Sequence, residues 1–307
     1  MKNKRVLITG GAGFIGSSLA RELVADNDVI VIDNLSTGKE ENISDLIGKG
    51  LTFIKGSITD LNLLREAFKN VDFVFHQAAI PSVSESVEDP LATNEVNATG
   101  TLNVLIAAKD NKVKKVLYAS SCSVYGDVAV LPVREDMIPN PLSPYAVTKL
   151  SGEYYCRVFQ AIYNLSTVCL RYFNVYGPRQ DPESPYSAAV PRFIKDVLQG
   201  KPPVIFGDGE QSRDFIFVND VVKANILAAE SEATGIFNIG TGHSTTIDKL
   251  AKLIIGIFGK TLEPIYQEPR EGDIKHSVAE ISKAGLIGYK PMYDIERGLT
   301  ETIKEST

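Results

Sequence analysis

The chain has 307 residues, 44% of them hydrophobic, and a net charge of −6. That suits one compact unit, or two lobes sharing a boundary, and argues against a nucleic-acid partner, which would favour a basic surface. Three cysteines without metal-like spacing and only three histidines predict reduced thiols and no metal site.

The basic residues 1–5 are followed by only Val6-Leu7-Ile8 before glycines intervene, and no run approaches the ~20 apolar residues that span a bilayer. The expectation is a cytoplasmic protein with no membrane partner. Short apolar runs at 5–9, 29–33, 51–55, 73–76, 115–119 and 166–171 alternate with helical patterns at 15–25, 62–68, 94–111 and 144–163. Several runs are apolar on successive residues, the mark of strands buried on both faces, and the alternation predicts a parallel sheet with helices on both sides. The second half is less regular, with proline-rich turns at 139–144 and 178–185 and a strand-like 204–206.

The first strand runs into Gly10-Gly11-Ala12-Gly13-Phe14-Ile15-Gly16 and then a helix. Glycines at this spacing allow a tight turn and let backbone N–H groups approach a pyrophosphate at the helix N-terminus. The second strand ends at Asp33, where a carboxylate accepts hydrogen bonds from ribose hydroxyls and repels a 2′-phosphate, so the predicted cofactor is NAD.

Tyr145 and Lys149 stand four residues apart in a helix beginning near Pro144, on one face. A phenol of pKa ~10 is a poor base at neutral pH, and a nearby ammonium favours the phenolate. The fifth strand runs into Ser120-Ser121-Cys122-Ser123, placing small hydroxyl residues in the usual ligand crevice of such sheets.

Together the glycine pattern, Asp33, Ser121, Tyr145-x-x-x-Lys149 and Arg171-Tyr172-Phe173-Asn174 resemble, in order and over essentially the whole chain, the extended short-chain dehydrogenase/reductase family. Within it the match is to the UDP-N-acetylglucosamine/UDP-glucose 4-epimerases. The resemblance implies a Rossmann-like doubly wound parallel sheet over 1–175, with a return segment near 213–240, and a smaller, partly interleaved α/β substrate lobe over 176–307. It implies that Ser121 and Tyr145 are the catalytic serine and base and that Lys149 binds the nicotinamide ribose. Cofactor contacts would come from Gly10, Gly13, Phe14, Ile15, Gly16, Asp33, Asn34, Ser36, Thr37, Gly38, Ser57, Ile58, Gln77, Ala78, Ala79, Asn97 and Tyr172, besides Tyr145 and Lys149. Ser57 departs from the aspartate of many relatives. Substrate contacts would come from Ser82, Ser121, Ser123, Tyr145, Asn174, Ala188, Ala189, Val190, Val204, Phe206, Arg213, Arg270, Asp273 and Ser277. Arginine suits the diphosphate because its planar fork pairs with phosphate oxygens. Relatives dimerise through two helices, here 94–111 and 144–163, so a homodimer is implied.

Relatives that dehydrate sugars carry an Asp-Glu pair after the catalytic serine or threonine, and decarboxylating ones keep a glutamate there. This chain has Cys122-Ser123, which leaves reversible redox chemistry at the sugar C4, through a transient 4-keto sugar. Ser277 stands where glucose-only epimerases carry tyrosine, leaving room for a 2-acetamido group; Pro81 replaces a glycine of close acetamido-selective relatives. The resemblance therefore implies UDP-N-acetylglucosamine, with UDP-glucose also accepted. A UDP-glucuronate 4-epimerase, or another nucleotide-sugar oxidoreductase of the family, stays open.

Overall fold

A computed structural model describes residues 1–182, 188–269 and 274–306. Strands β1 (Arg5–Thr9), β2 (Asp28–Asp33), β3 (Leu51–Lys55), β4 (Phe73–His76), β5 (Lys115–Ser121) and β6 (Ser166–Tyr172) alternate with helices α1 (Phe14–Leu23), α2 (Leu61–Ala67), α3 (Val83–Glu88), α4 (Pro90–Asn94), α5 (Gly100–Asp110) and α6 (Pro144–Tyr163). There follow β7 (Asn174–Tyr176), α7 (Ala189–Leu198), β8 (Val204–Phe206), β9 (Ser212–Arg213), β10 (Phe215–Phe217), α8 (Val218–Glu230), β11 (Gly235–Ile239), β12 (Thr245–Thr246), α9 (Ile247–Ile257), β13 (Ile265–Gln267) and α10 (Ile295–Ser306).

Seven strands form one sheet in the order β11-β6-β5-β4-β1-β2-β3, every pairing parallel. The apolar runs are explained by burial on both faces. Val6 and Ile8 of β1, with Val29 and Val31 of β2, pack into a core shared with α1 and α8. Leu7, Ile30 and Ile32 point to the opposite core, shared with α2, α5 and α6. A third core joins α7, α9 and α10 to β8 and β10.

The six predicted runs are all strands, β5 and β6 extending to Ser121 and Tyr172. The seventh, β11, was not among them, because Asn238 interrupts its short apolar sequence. The second half is also more regular than its prolines suggest, holding α7 to α10. Buried Lys115 ties α8 to the sheet: its Nζ donates to Ala228 O (3.2 Å) and Ser231 O, main-chain acceptors at the end of α8.

The predicted helix 94–111 is α5 preceded by a π-helical turn, Glu95–Thr99, that continues α4. The start of α6 is set by two devices. Ser143 caps it, its Oγ accepting from Ala146 N (3.2 Å), and Pro144 occupies the first turn. Asn164, in the left-handed region, ends it.

Candidate active site

The chain leaves β1 through Gly10, whose φ of +68° favours glycine. A Cβ there would lie 2.7 Å from the Ala78 backbone, and one on Gly16 would lie 2.1 Å from Gly10 O. Gly13 starts α1 with no side-chain cap, so the N–H groups of Phe14, Ile15 and Gly16 are left over at the helix N-terminus as an anion cradle. A dinucleotide pyrophosphate fits this cradle. Asp33 stands beside it, nearly buried. Its Oδ2 accepts from Ala12 N (2.9 Å) and its Oδ1 from Leu35 N (2.8 Å), which fixes the glycine turn against the 34–38 loop and leaves further lone pairs for ribose hydroxyls. Gly38 permits this packing, since a Cβ there would meet the Asp33 carboxylate at 2.8 Å.

Not every predicted cofactor residue presents a free side chain. Ser57 Oγ is engaged with Thr59 Oγ1 (2.8 Å) and Thr59 N (3.2 Å). The Ile58 side chain is buried in the core against Gly100. Asn34 Oδ1 accepts from Ser36 N (3.1 Å) within its own loop. Asn97 is buried, with Oδ1 accepting from Ile80 N (2.8 Å) and Nδ2 donating to Ile80 O (3.1 Å) and Thr148 Oγ1 (3.2 Å). It therefore clamps the loop after Ala79 to the catalytic helix.

Behind Asn97 lies His76. The Thr101 hydroxyl donates to Asn97 O (2.6 Å), so it accepts from His76 Nε2–H (2.9 Å), and Nδ1 accepts from Thr9 Oγ1 (2.7 Å). Burial, then the Lys149 charge, push this imidazole down to about 3, and it stays neutral.

Gln77 and Tyr172, at the ends of β4 and β6, meet through a residue the sequence did not single out. Asn225 of α8, fully buried, donates from Nδ2 to Tyr172 Oη (2.8 Å), and Tyr172 Oη donates to Gln77 Oε1 (3.2 Å).

The proton-transfer candidates come together as spacing predicted. Ser121 stands at the end of β5, and its hydroxyl, which accepts from Ser123 N (3.2 Å), opposes the burial that raises the Tyr145 phenol. Lys149, one turn further along α6, is buried and donates from Nζ to Ala119 O (2.8 Å). Its ammonium lies 5.7 Å from the centre of the Tyr145 ring. Burial raises Tyr145 to about 12 and lowers Lys149 to about 8, each toward its neutral form. Ser123 Oγ is buried beside them without a protein partner. Burial pushes the Cys122 thiol up to about 12, so it is neutral and no substitute for a carboxylic acid.

Two residues not predicted hold this centre. Buried Ser86 of α3 accepts from Tyr145 N (3.1 Å), satisfying an N–H that the first helical turn leaves over. Glu153, one turn beyond Lys149, accepts from Ser120 Oγ (2.5 Å) and, through both oxygens, from Arg171 Nε (2.8 Å) and Nη2 (2.7 Å), all three residues being buried. The four-residue interval from Lys149 to Glu153, repeating that from Tyr145 to Lys149, was the available signal.

Most of the other residues expected to meet the substrate lie in the second half. Asn174 N and Nδ2 both donate to Asp214 O (3.0 and 3.3 Å). Arg213 Nη1 donates to Ser212 O (3.0 Å) and Lys275 O (3.3 Å), and Ser277 N donates to Ser212 O (3.0 Å). Cys122 packs in one cluster with Phe173 and Ala279, which brings Asn174 and the Ser277 stretch up to the Ser121 segment. Ala188 and Ala189 form the start of α7, where Val190 turns into the core. Val204 and Phe206 are half-buried on β8, and Ser82 caps α3, its Oγ accepting from Glu85 N (3.0 Å). Arg270 and Asp273 lie outside the described residues.

The fold and this centre define a nucleotide-dependent oxidoreductase-type site, and comparison places it. The NAD dependent epimerase/dehydratase family model matches residues 6–240. A putative UDP-glucose 4-epimerase of Methanocaldococcus jannaschii is 40% identical over 301 residues, covering 97% of each chain. Among solved structures, the UDP-N-acetylglucosamine 4-epimerase of Methanobrevibacter ruminantium in complex with UDP-N-acetylmuramic acid is 47% identical, with a TM-score of 0.97, covering 100% of this chain and 99% of the other. The Thermus thermophilus UDP-glucose 4-epimerase, in complex with NAD, is 39% identical with a TM-score of 0.90, covering 98% of each.

The chain belongs to the NAD-dependent epimerase/dehydratase family. With its relatives it is an NAD-dependent isomerase. Among the described residues no helix is long and apolar enough to cross a membrane, and no cluster of potential metal ligands occurs.

Proposed function

We propose that the chain interconverts UDP-hexoses at C4, taking UDP-N-acetylglucosamine to UDP-N-acetylgalactosamine and also accepting UDP-glucose. The observation that carries this reading is the Lys149 ammonium held 5.7 Å from the centre of the Tyr145 ring, beside a neutral Cys122 and an unpartnered Ser123 hydroxyl. NAD, when bound, supplies the hydride acceptor and donor for C4. Tyr145 accepts and returns the proton of the sugar 4-hydroxyl, and Ser121 orients that hydroxyl. Lys149 places positive charge near the phenol, with N–H donors left over for a ribose. No carboxylic acid follows Ser121, so elimination of water has no acid in that place. Arg213, Asn174 and the segment carrying Ser277 receive the diphosphate and sugar. Ser277 is small, which favours the acetamido substrate.

The test is to incubate the purified chain with UDP-N-acetylglucosamine, without added cofactor or reductant, and resolve products by NMR. A mixture of the two C4 epimers is expected. Absence of the epimer, with turnover of UDP-glucuronate instead, would transfer the assignment to that sugar.

The reading includes a homodimer. Val147, Tyr154, Val158 and Ile162 make an exposed apolar stripe on α6, beside exposed Val87 and Leu91 of α3 and α4. Such a patch fits a self-complementary contact with a second copy. Light scattering should give about twice the 33.4 kDa chain mass.

A further inference from the structure

Asp214, between β9 and β10, is fully buried. Its carboxylate accepts four hydrogen bonds. Oδ1 takes Thr241 N (2.8 Å) and Thr241 Oγ1 (2.6 Å). Oδ2 takes Gly242 N (3.0 Å) and Ala279 N (3.1 Å). Gly240 leaves room for it, since a Cβ there would come within 2.7 Å of Oδ2. Burial pushes this carboxyl up while the four donors oppose the rise.

Three separate segments converge on this one group: the β9–β10 connection, the loop after β11, and the stretch reaching Ala279. Two of them carry a residue of the substrate side, and a third such residue is tied to Asp214 from β7. Arg213 precedes Asp214 directly. Ser277 lies two residues before Ala279, on a stretch that also pairs through Ser277 N with Ser212 O (3.0 Å). Asn174 is held by both of its N–H groups to Asp214 O. Ala279, which donates to Asp214, packs in one cluster with Cys122, next to Ser121. A neutral residue of similar size would fill the space, but it would not draw donors from two other segments.

We infer that Asp214 is a positioning residue for the UDP-sugar, setting the distances among Arg213, Asn174 and Ser277 and between them and the Ser121 segment. This rests on the proposed function, which assigns those residues to the substrate. Asp214 itself touches neither substrate nor cofactor in this role. It acts on binding, through the fixed separation of diphosphate-side and sugar-side groups.

The test is Asp214→Asn in the holoenzyme. The amide keeps the Thr241 pair on its oxygen but turns its NH2 against two N–H donors. The KM for the UDP-sugar, and the Kd for UDP measured by calorimetry, should rise about tenfold, the size of one or two lost hydrogen bonds. The kcat and the NAD retained per chain should stay within about twofold of wild type. A residue serving only the fold would lower active fraction, NAD content and kcat together and leave KM where it was; that result overturns the inference. Should the asparagine variant fail to fold, Thr241→Val removes the hydroxyl that donates to Asp214 and accepts from His243 N, keeps the Thr241 N–H bond to Asp214, and should raise KM about threefold at unchanged kcat; an unchanged KM there counts against Asp214 equally. Wild type binding neither UDP nor UDP-sugar would overturn the proposed function and this inference with it. Normal wild-type binding with an unaffected asparagine variant overturns the inference alone.

Discussion

The Lys149 ammonium sits 5.7 Å from the centre of the Tyr145 ring while donating to Ala119 O at 2.8 Å. One side chain thus anchors the catalytic helix to the end of β5 and holds charge beside the phenol. Burial raises the phenol to about 12, and a cation held beside it favours the phenolate instead. The positive nicotinamide of a bound cofactor adds to the same side of the balance.

Tyr145→Phe removes the hydroxyl and leaves the ring. Proton transfer of this kind contributes about 10²–10⁴-fold, so kcat should fall by about a thousandfold. UDP-sugar affinity, followed by calorimetry, should stay within about threefold. Turnover near the wild-type rate would remove Tyr145 from the chemistry.

Lys149 carries a stability signature with a defined sign. Its folded pKa is lowered to about 8, and an unfolded lysine titrates near ~10.4. Between these values the unfolded chain binds a proton that the folded chain has given up, so stability rises with pH through that window; the desolvation penalty is full below pH 8 and gone above the unfolded pKa. Measured against Lys149→Met by denaturant titration of cofactor-free protein, wild type should gain up to about 3 kcal/mol from pH 8 to 10.5. A flat difference over that range would mean the ammonium is well solvated.

The Glu153–Arg171 pair should behave as a buried ion pair. Glu153→Leu leaves the guanidinium buried without its carboxylate and should cost about 3–5 kcal/mol in denaturant unfolding. Adding Arg171→Met should recover much of that loss, because no uncompensated charge remains. A single variant within about 1 kcal/mol of wild type would show that water reaches the pair.

Ser277→Tyr tests sugar selection. The Ser277 backbone is fixed by its hydrogen bond to Ser212 O, so the larger side chain changes the space beside it more than the chain path. The kcat/KM for UDP-N-acetylglucosamine should fall more than about tenfold and that for UDP-glucose less than about threefold, the range in which pocket shape discriminates. Equal losses for both would contradict a gatekeeping role.

The strands were legible because successive apolar residues face two different cores, as Leu7 does between Val6 and Ile8. The glycine turn, Asp33 and the Tyr145–Lys149 interval could be read because each sits at a fixed place in a local pattern: after β1, at the end of β2, and on one face of α6. Other parts rest on contacts that no local pattern encodes. Ser86 meets Tyr145 across 59 residues, and Asn225 meets Tyr172 across 53. Asp214 was hidden behind Arg213, whose charge drew the functional reading, although the carboxylate beside it gathers three segments. Ile58 shows the reverse: a residue assigned to the cofactor by position has its side chain in the core.

The central claim is reversible transfer at C4 within one site. Its most direct test uses a UDP-sugar carrying deuterium at C4, incubated with the chain in ordinary water and no added cofactor, with NMR of the epimer formed. The epimer is expected to keep deuterium at C4. Loss of deuterium to water, or its appearance at another sugar carbon, would contradict it.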